Sequence, residues 1–223
     1  MNAAARRHVR VKICGITSPE DAAYAEEAGA DAIGLIFAVS KRRVDRARAA
    51  EIVAATGPLV TTVGVFSGAP AHEVIEIVES LRLDVAQLHG VSDGEYLAAV
   101  RRRVKVLLAL PYTAAASPGS VTAWPADAYL IDGPKPGSGQ RYDWEAVAAW
   151  RGHPRLVVAG GLDPANVAAA VAALRPYAVD VASGVESSPG VKDKGAVRRF
   201  VHQVRAAELG APGAGPQSAG DRA

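Results

Sequence analysis

Between Arg155 and Ala182 the chain reads Arg155-Leu156-Val157-Val158-Ala159, then Gly160-Gly161-Leu162-Asp163-Pro164, then a helix-like stretch from Asn166 to Leu174, then Ala178-Val179-Asp180-Val181-Ala182. The two flanking runs are apolar almost without interruption, as parallel strands buried on both faces should be. Asp163-Pro164 is a helix start, a capping side chain followed by a residue whose fixed φ suits the first turn. Strand, glycine loop, helix and second strand form one βαβ unit.

The same unit repeats towards the N-terminus. Further runs fall at Val9–Ile13, Ala32–Phe37, Leu59–Phe66, Val85–Leu88, Val104–Leu110 and Ala128–Ile131. Ser18-Pro19-Glu20-Asp21 gives a cap, a first-turn proline and first-turn acids, and Gly68-Ala69-Pro70 opens another helix. In that helix Val74, Ile77, Val78 and Leu81 form an apolar stripe, and Gly29 stands where a helix C-terminus needs glycine. Tyr112–Pro125 is poor in helix signals and holds at most a short helix. Eight strand runs alternating with about eight helices in 223 residues predict an α/β fold, a single-domain (β/α)8 TIM barrel over 1–209. The stretch 210–223, rich in Gly, Ala, Pro and polar residues, is expected to be a disordered tail.

Composition removes other classes. Hydrophobic residues make up 49% and charged residues 22%, so a large core is available, built from Ala, Val, Leu and Ile because aromatics are only 5%. Twenty-five Lys and Arg against 23 Asp and Glu leave a net charge of +2, too little and too scattered for a nucleic-acid surface. One cysteine, Cys14, excludes an intrachain disulfide framework and a multi-cysteine zinc site. No apolar run reaches membrane-spanning length, and Arg6, Arg7 and Arg10 precede no apolar signal segment, so a cytoplasmic location is expected.

In such a barrel the reacting groups stand at the C-terminal ends of the strands. Those positions hold Cys14, Phe37 to Arg42, Phe66, Gln87-Leu88-His89-Gly90, Asp132, Gly160-Gly161 and Asp180 with Ser183-Gly184. The loops after strands seven and eight are the fold's usual phosphate site, where glycines let backbone N–H groups approach an anion; a glycine pair alone also makes an ordinary turn. Cys14 by position alone reads as a small buried hydrophobe. Asp132 lies too far from the next helix start at Asp143-Trp144 to cap it. Together, a thiolate base and a carboxylic acid across one barrel mouth are the acid–base pair an isomerase requires.

Lys12-Ile13-Cys14-Gly15-Ile16-Thr17, Gly64-Val65-Phe66, Gln87-Leu88-His89-Gly90, Ala159-Gly160-Gly161-Leu162 and Val179 to Glu186 resemble the phosphoribosylanthranilate isomerase family of tryptophan biosynthesis. The likeness runs in order from about Val11 to Phe200, and Pro189-Gly190-Val191-Lys192-Asp193 also fits. The resemblance implies an Amadori rearrangement of an aldosylamine to an aminoketose, with a small phosphorylated molecule as the binding partner. It places Cys14 as the general base at ribose C2 and Asp132 as the general acid at the furanose oxygen. Arg42 falls on the arginine that holds the anthranilate carboxylate, with Arg43 beside it. Gly160, Gly161, Ser183 and Gly184 fall on the phosphate-binding backbone, and Asp180 near the substrate. His89 reads as structural rather than catalytic. Because the rearrangement is an internal redox reaction, no cofactor and no metal are expected; nor is a nucleic-acid or membrane partner, and the chain is expected to be a monomer or homodimer.

Two departures from the family pattern bear on loop geometry. Asp132 is followed by Gly133 and then Pro136-Gly137-Ser138-Gly139, and the usual Ser-Ser-Gly after strand eight is Ala182-Ser183-Gly184. The rival isomerase of histidine biosynthesis, acting on a two-phosphate substrate, has an aspartate where Cys14 stands. A phosphate-binding barrel without catalysis would need neither Cys14 nor Asp132.

Overall fold

The computed structural model describes residues 8–209 apart from 92, 115–116, 122–123 and 134–142. Eight strands are β1 Arg10–Cys14, β2 Ala32–Ile36, β3 Thr61–Ser67, β4 Val85–His89, β5 Lys105–Pro111, β6 Ala128–Asp132, β7 Leu156–Val158 and β8 Ala178–Val181. All pair in parallel, each with its neighbour in sequence, and β1 closes on β8 through Lys12 opposite Asp180. The barrel expected from sequence is therefore present. The tail 210–223 and the Pro136 to Gly139 loop lie outside the described residues.

Runs that look continuously apolar alternate once folded. On β1, Val11 and Ile13 join the large core between sheet and helices, while Lys12 and Cys14 point inward. Inside the barrel, Leu107, Ala109, Leu130, Val157, Ala159 and Ala178 fill the floor. Apolar atoms thus close the lower barrel, and polar groups are left for the C-terminal rim.

The helices α1 Pro19–Glu27, α2 Arg46–Ala54, α3 Ala71–Leu81, α4 Gly94–Arg101, α5 Pro118–Val121, α6 Val167–Leu174 and α7 Lys194–Leu209 surround the sheet. Ser18 caps α1 by accepting from the Asp21 N–H. At the other end Gly29 N–H bonds Glu26 O and Ala30 N–H bonds Ala25 O, a Schellman closure with Gly29 at φ +92°. On α3 the expected stripe packs inward through Val74, Ile77 and Val78, each worth about 1.5–3 kcal/mol on full burial. The helix start at Asp163 is displaced. The Asp163 carboxylate accepts from Ala165 and Asn166 N–H in a preceding turn, and α6 opens at Val167. After β5 and β6 the helices shrink to a 3-10 turn at Tyr112–Ala114, the short α5, and a kinked 3-10 segment Trp144–Trp150.

One device recurs at the N-terminal end of the barrel. Asp31, Asp84 and Asp127 stand just before β2, β4 and β6. Their carboxylates accept from Val11, Thr62 and Val106 N–H on the preceding strand. In return their own N–H groups donate to the carbonyls of those same residues. Each odd strand is thereby clamped to the next even one. A two-stranded hairpin, β9 Glu186–Ser188 with β10 Val191–Lys192, folds over the rim after β8.

Candidate active site

The C-terminal mouth of the barrel is a cavity of about 550 Å³ lined by Cys14, Arg42, Gln87, His89, Asp132 and Asp180. Gly160, Gly161 and Ser183 line its edge, and Gly184 follows immediately behind. All eight residues singled out from the sequence therefore converge on one face. A shallower groove among Arg101, Arg102, Lys105 and Asp127 lies at the N-terminal face and carries no strand-end group.

Cys14 ends β1 with its side chain buried. Lys12, two residues earlier on the same face, bonds Asp180 on β8 at 2.9 Å. Gly34 on β2 stands opposite, and a Cβ there would lie 2.8 Å from Cys14 Sγ and 3.1 Å from Lys12 Nζ. The missing side chain makes the room in which thiol and ammonium meet. Burial pushes the Cys14 thiol up, and Asp180 adds to it, while Lys12 and Lys192 pull it down without reversing the direction. The modest lowering that a cysteine base would need is not seen, because removal of the thiol from water outweighs both cations. Burial pulls Lys12 down, but Asp180 and Cys14 more than offset that and leave it raised to about 12.

Asp132 ends β6, 9% exposed. Burial raises its carboxyl to about 6, against a 2.7 Å bond from the Gly133 N–H that favours the anion. Gly160 sits directly against it with φ +81°, and a Cβ there would run into Gly133 N. Only glycine satisfies both conditions. Gly184 is excluded from carrying a side chain by the Leu162 carbonyl. Asn166 then fixes the loop after β7, its amide donating to Gly161 O while its carbonyl accepts from Asp163 N–H.

Arg42, on the loop after β2, is gripped by Glu186 on β9. Its Nε and Nη2 bond the Glu186 carboxylate at 2.8 Å each. Lys192 on β10 bonds Glu186 Oε1, which it shares with Arg42 Nε, at 2.8 Å and also bonds the Cys14 carbonyl at 2.7 Å. Burial pushes Glu186 up, but Arg42 and Lys192 hold it below the ordinary carboxylate range. Side-on pairing uses the Nε edge of the guanidinium and leaves its terminal fork for a second carboxylate. Arg43 is exposed and pairs by backbone with Ile36, whereas Arg42 lines the cavity. Lys12, Glu186 and Lys192 did not emerge from the sequence as site residues. All three stood within the quoted motifs, but none was given a role there, and Lys192 acquires one only when the hairpin folds over the rim.

A parallel barrel that offers a thiol, a raised carboxyl and an oriented arginine in one mouth is that of an acid–base enzyme whose ligand carries anionic groups. A family profile described as N-(5'phosphoribosyl)anthranilate (PRA) isomerase matches residues 11–203. N-(5'-phosphoribosyl)anthranilate isomerase of Geobacter sp. (strain M21) is 46% identical over 204 residues, spanning 88% of this chain and 98% of that protein. The Pseudomonas aeruginosa (strain UCBPP-PA14) protein of the same name is 48% identical over 88% and 95% of the two chains. Phosphoribosyl anthranilate isomerase from Thermus thermophilus superposes with a TM-score of 0.81 at 43% identity, over 89% and 99% of the chains. A structure of such an isomerase with reduced 1-(o-carboxyphenylamino)-1-deoxyribulose 5-phosphate gives 0.78 at 33% identity, over 89% and 100%. This chain belongs to the phosphoribosylanthranilate isomerase family.

Proposed function

We propose that this chain converts N-(5-phosphoribosyl)anthranilate to 1-(2-carboxyphenylamino)-1-deoxyribulose 5-phosphate in tryptophan biosynthesis, an aldose–ketose isomerisation by general acid–base catalysis. The observation that carries the mechanism is the placement of Cys14 and Asp132 on β1 and β6, facing one cavity with the carboxyl raised to about 6. A proton from Asp132 goes to the ring oxygen as the C1–O bond breaks, leaving an iminium at C1. Cys14 thiolate removes the C2 proton, and the released pair forms the C1–C2 double bond while nitrogen regains its lone pair. Proton return to C1 and loss of the enol proton give the ketone. Electrons move only within the substrate, so the chemistry calls for no cofactor or metal.

Arg42 holds the anthranilate carboxylate through its free fork. Gly160, Gly161, Ser183 and Gly184 present backbone N–H groups to the phosphate, and Asp180 stands near the sugar while pairing Lys12. The reaction takes place in the cytoplasm, carried out by a monomer or homodimer. No helix among the described residues is long and apolar enough to cross a membrane.

The test is a turnover assay with freshly generated phosphoribosylanthranilate, following loss of its fluorescence. Wild type turns over, while folded Cys14→Ser and Asp132→Asn each lose about 10² to 10⁴ in kcat. Absence of turnover in wild type overturns the reading. Near-normal turnover in either variant removes that residue from its role.

A further inference from the structure

Among the described residues, one buried side-chain polar atom in the mouth has no partner. Gln87, on β4 and 2% exposed, places its Nε2 2.8 Å from His89 Nε2. Its Oε1 is the buried side-chain oxygen that bonds nothing among the described residues. Both side chains line the same cavity as Cys14, Asp132 and Asp180. Well over nine in ten buried polar groups in proteins find a partner, so an orphaned acceptor at a binding cavity marks a place for a donor brought by the ligand.

His89 determines which end of the amide is left over. Burial first, and then the Lys12 charge, lower its ring to about 4, so it is neutral at working pH. With its proton on Nδ1, neutral His89 accepts at Nε2 from the Gln87 amide N–H, which turns Oε1 away from the histidine. A protonated His89 would demand the oxygen for itself. In the neutral Nδ1–H tautomer Gln87 keeps its acceptor free, as its unpartnered Oε1 requires.

We infer that Gln87 is a further substrate-binding residue, its amide oxygen accepting a hydrogen bond from a sugar hydroxyl of the phosphorylated aminosugar. The inference rests on the isomerase reading above. Among the donors of that substrate, the amine N–H lies ortho to the ring carboxylate and is satisfied within the ligand, which leaves the hydroxyls. In an eight-stranded ring β4 stands opposite β8, so Gln87 faces the sugar from the side away from the phosphate loops. A site built to hydrogen-bond a hydroxyl discriminates strongly against ligands lacking it, since the buried group then goes unpaired.

The experiment is calorimetric binding of the reduced open-chain product analogue, and of versions each lacking one sugar hydroxyl, to wild type and Gln87→Met. Gln87→Met keeps volume and burial but has no acceptor there. It is expected to bind the full analogue about ten- to a hundredfold more weakly than wild type. One of the deoxy analogues is expected to bind both proteins alike, which identifies the partnered hydroxyl. Gln87→Glu keeps an acceptor oxygen in either protonation state and is expected to keep the preference for the hydroxylated ligand. Unchanged binding by Gln87→Met, an equal loss on every analogue, or loss of that preference in Gln87→Glu overturns the inference. Failure of wild type to bind the full analogue overturns the isomerase reading instead.

Discussion

Cys14 and Asp132 stand in an unusual protonation order, and a measurable pH dependence follows. The carboxyl loses its proton at about 6, and the thiol only above its ordinary range. The reactive arrangement, thiolate with neutral carboxyl, is then the minor form of the singly deprotonated site. Its population grows as pH rises through about 6, stays level, and falls when the second proton leaves. A bell-shaped kcat/KM is expected in which the acid limb belongs to Asp132, read by its carboxyl infrared band, and the alkaline limb to Cys14. A carboxyl that titrates with the alkaline limb contradicts the assignment. Lys12→Met removes a cation that pulls the thiol down, so thiolate absorbance should appear at higher pH than in wild type. Unshifted absorbance would show that Lys12 does not act on Cys14. At Arg42, Glu186→Gln weakens the grip without removing the guanidinium, so KM should rise by less than in Arg42→Ala while kcat is largely held in both. A fall in kcat alone would place Arg42 in the chemistry. Cys14, Arg42, Asp132 and Asp180 stood out as candidates because strand ends in this fold are few, but the part proposed for each came from the family resemblance rather than from position. Lys12 and Gln87 were harder to assign a role. What they do depends on Asp180 and His89 as spatial partners, which position along the chain does not supply.

Among the elements, the clamps at Asp31, Asp84 and Asp127 repeat one solution to one problem. A parallel strand enters the barrel from a loop, and its first N–H groups need acceptors before the ladder begins. An aspartate at the start of the next strand supplies one and ties neighbouring strands at the face away from the chemistry. Asp31 does more than the others, since Arg205 on α7 and His8 also bond it, joining β1, β2 and the last helix where the barrel closes. Burial raises the Asp31 carboxyl, but the Val11 N–H, Arg205 and His8 outweigh it and hold it below the ordinary 3.8. A depressed carboxyl contributes stability that is present above the unfolded value and lost as pH falls through the folded one. Asp31→Ala should therefore lose about 1–3 kcal/mol near neutral pH, with the gap from wild type shrinking below pH about 4 in thermal unfolding. A gap that persists undiminished in acid would mean that the charge contributes nothing. Strands were readable because burial on both faces writes them as apolar runs. The short helix within Tyr112–Pro125 and the start at Asp143-Trp144 were legible as well, but not the 3-10 form of these segments, because packing of Val121, Val147 and Trp150 holds turns too short to show a helical period.

Across the whole molecule, the ligand reaches parts of the ring that are distant in sequence. Under the proposed reading it touches β1 through Cys14, the loop after β2 through Arg42, β4 through Gln87, β6 through Asp132, and the loops after β7 and β8 through backbone N–H groups. The buried ionic groups of the mouth, Lys12, Arg42 and Lys192 against Asp180, Glu186 and an Asp132 ionised above about 6, balance when Cys14 is a thiol. A ligand held by Arg42 and the phosphate loops finds that arrangement only in the folded barrel, so binding should stabilise the folded chain. At a hundredfold excess over Kd, mass action alone contributes about 2.7 kcal/mol. For a barrel of this length that amounts to a rise in Tm of roughly 5–11 °C with the reduced product analogue. Because β1 closes on β8 and every strand pairs with its neighbours, the transition should move as one. Calorimetric scans with and without the analogue check both points. Two transitions, of which only the one containing β6 to β8 moves, would mean that the barrel melts in halves and that the ligand is held by the phosphate loops alone.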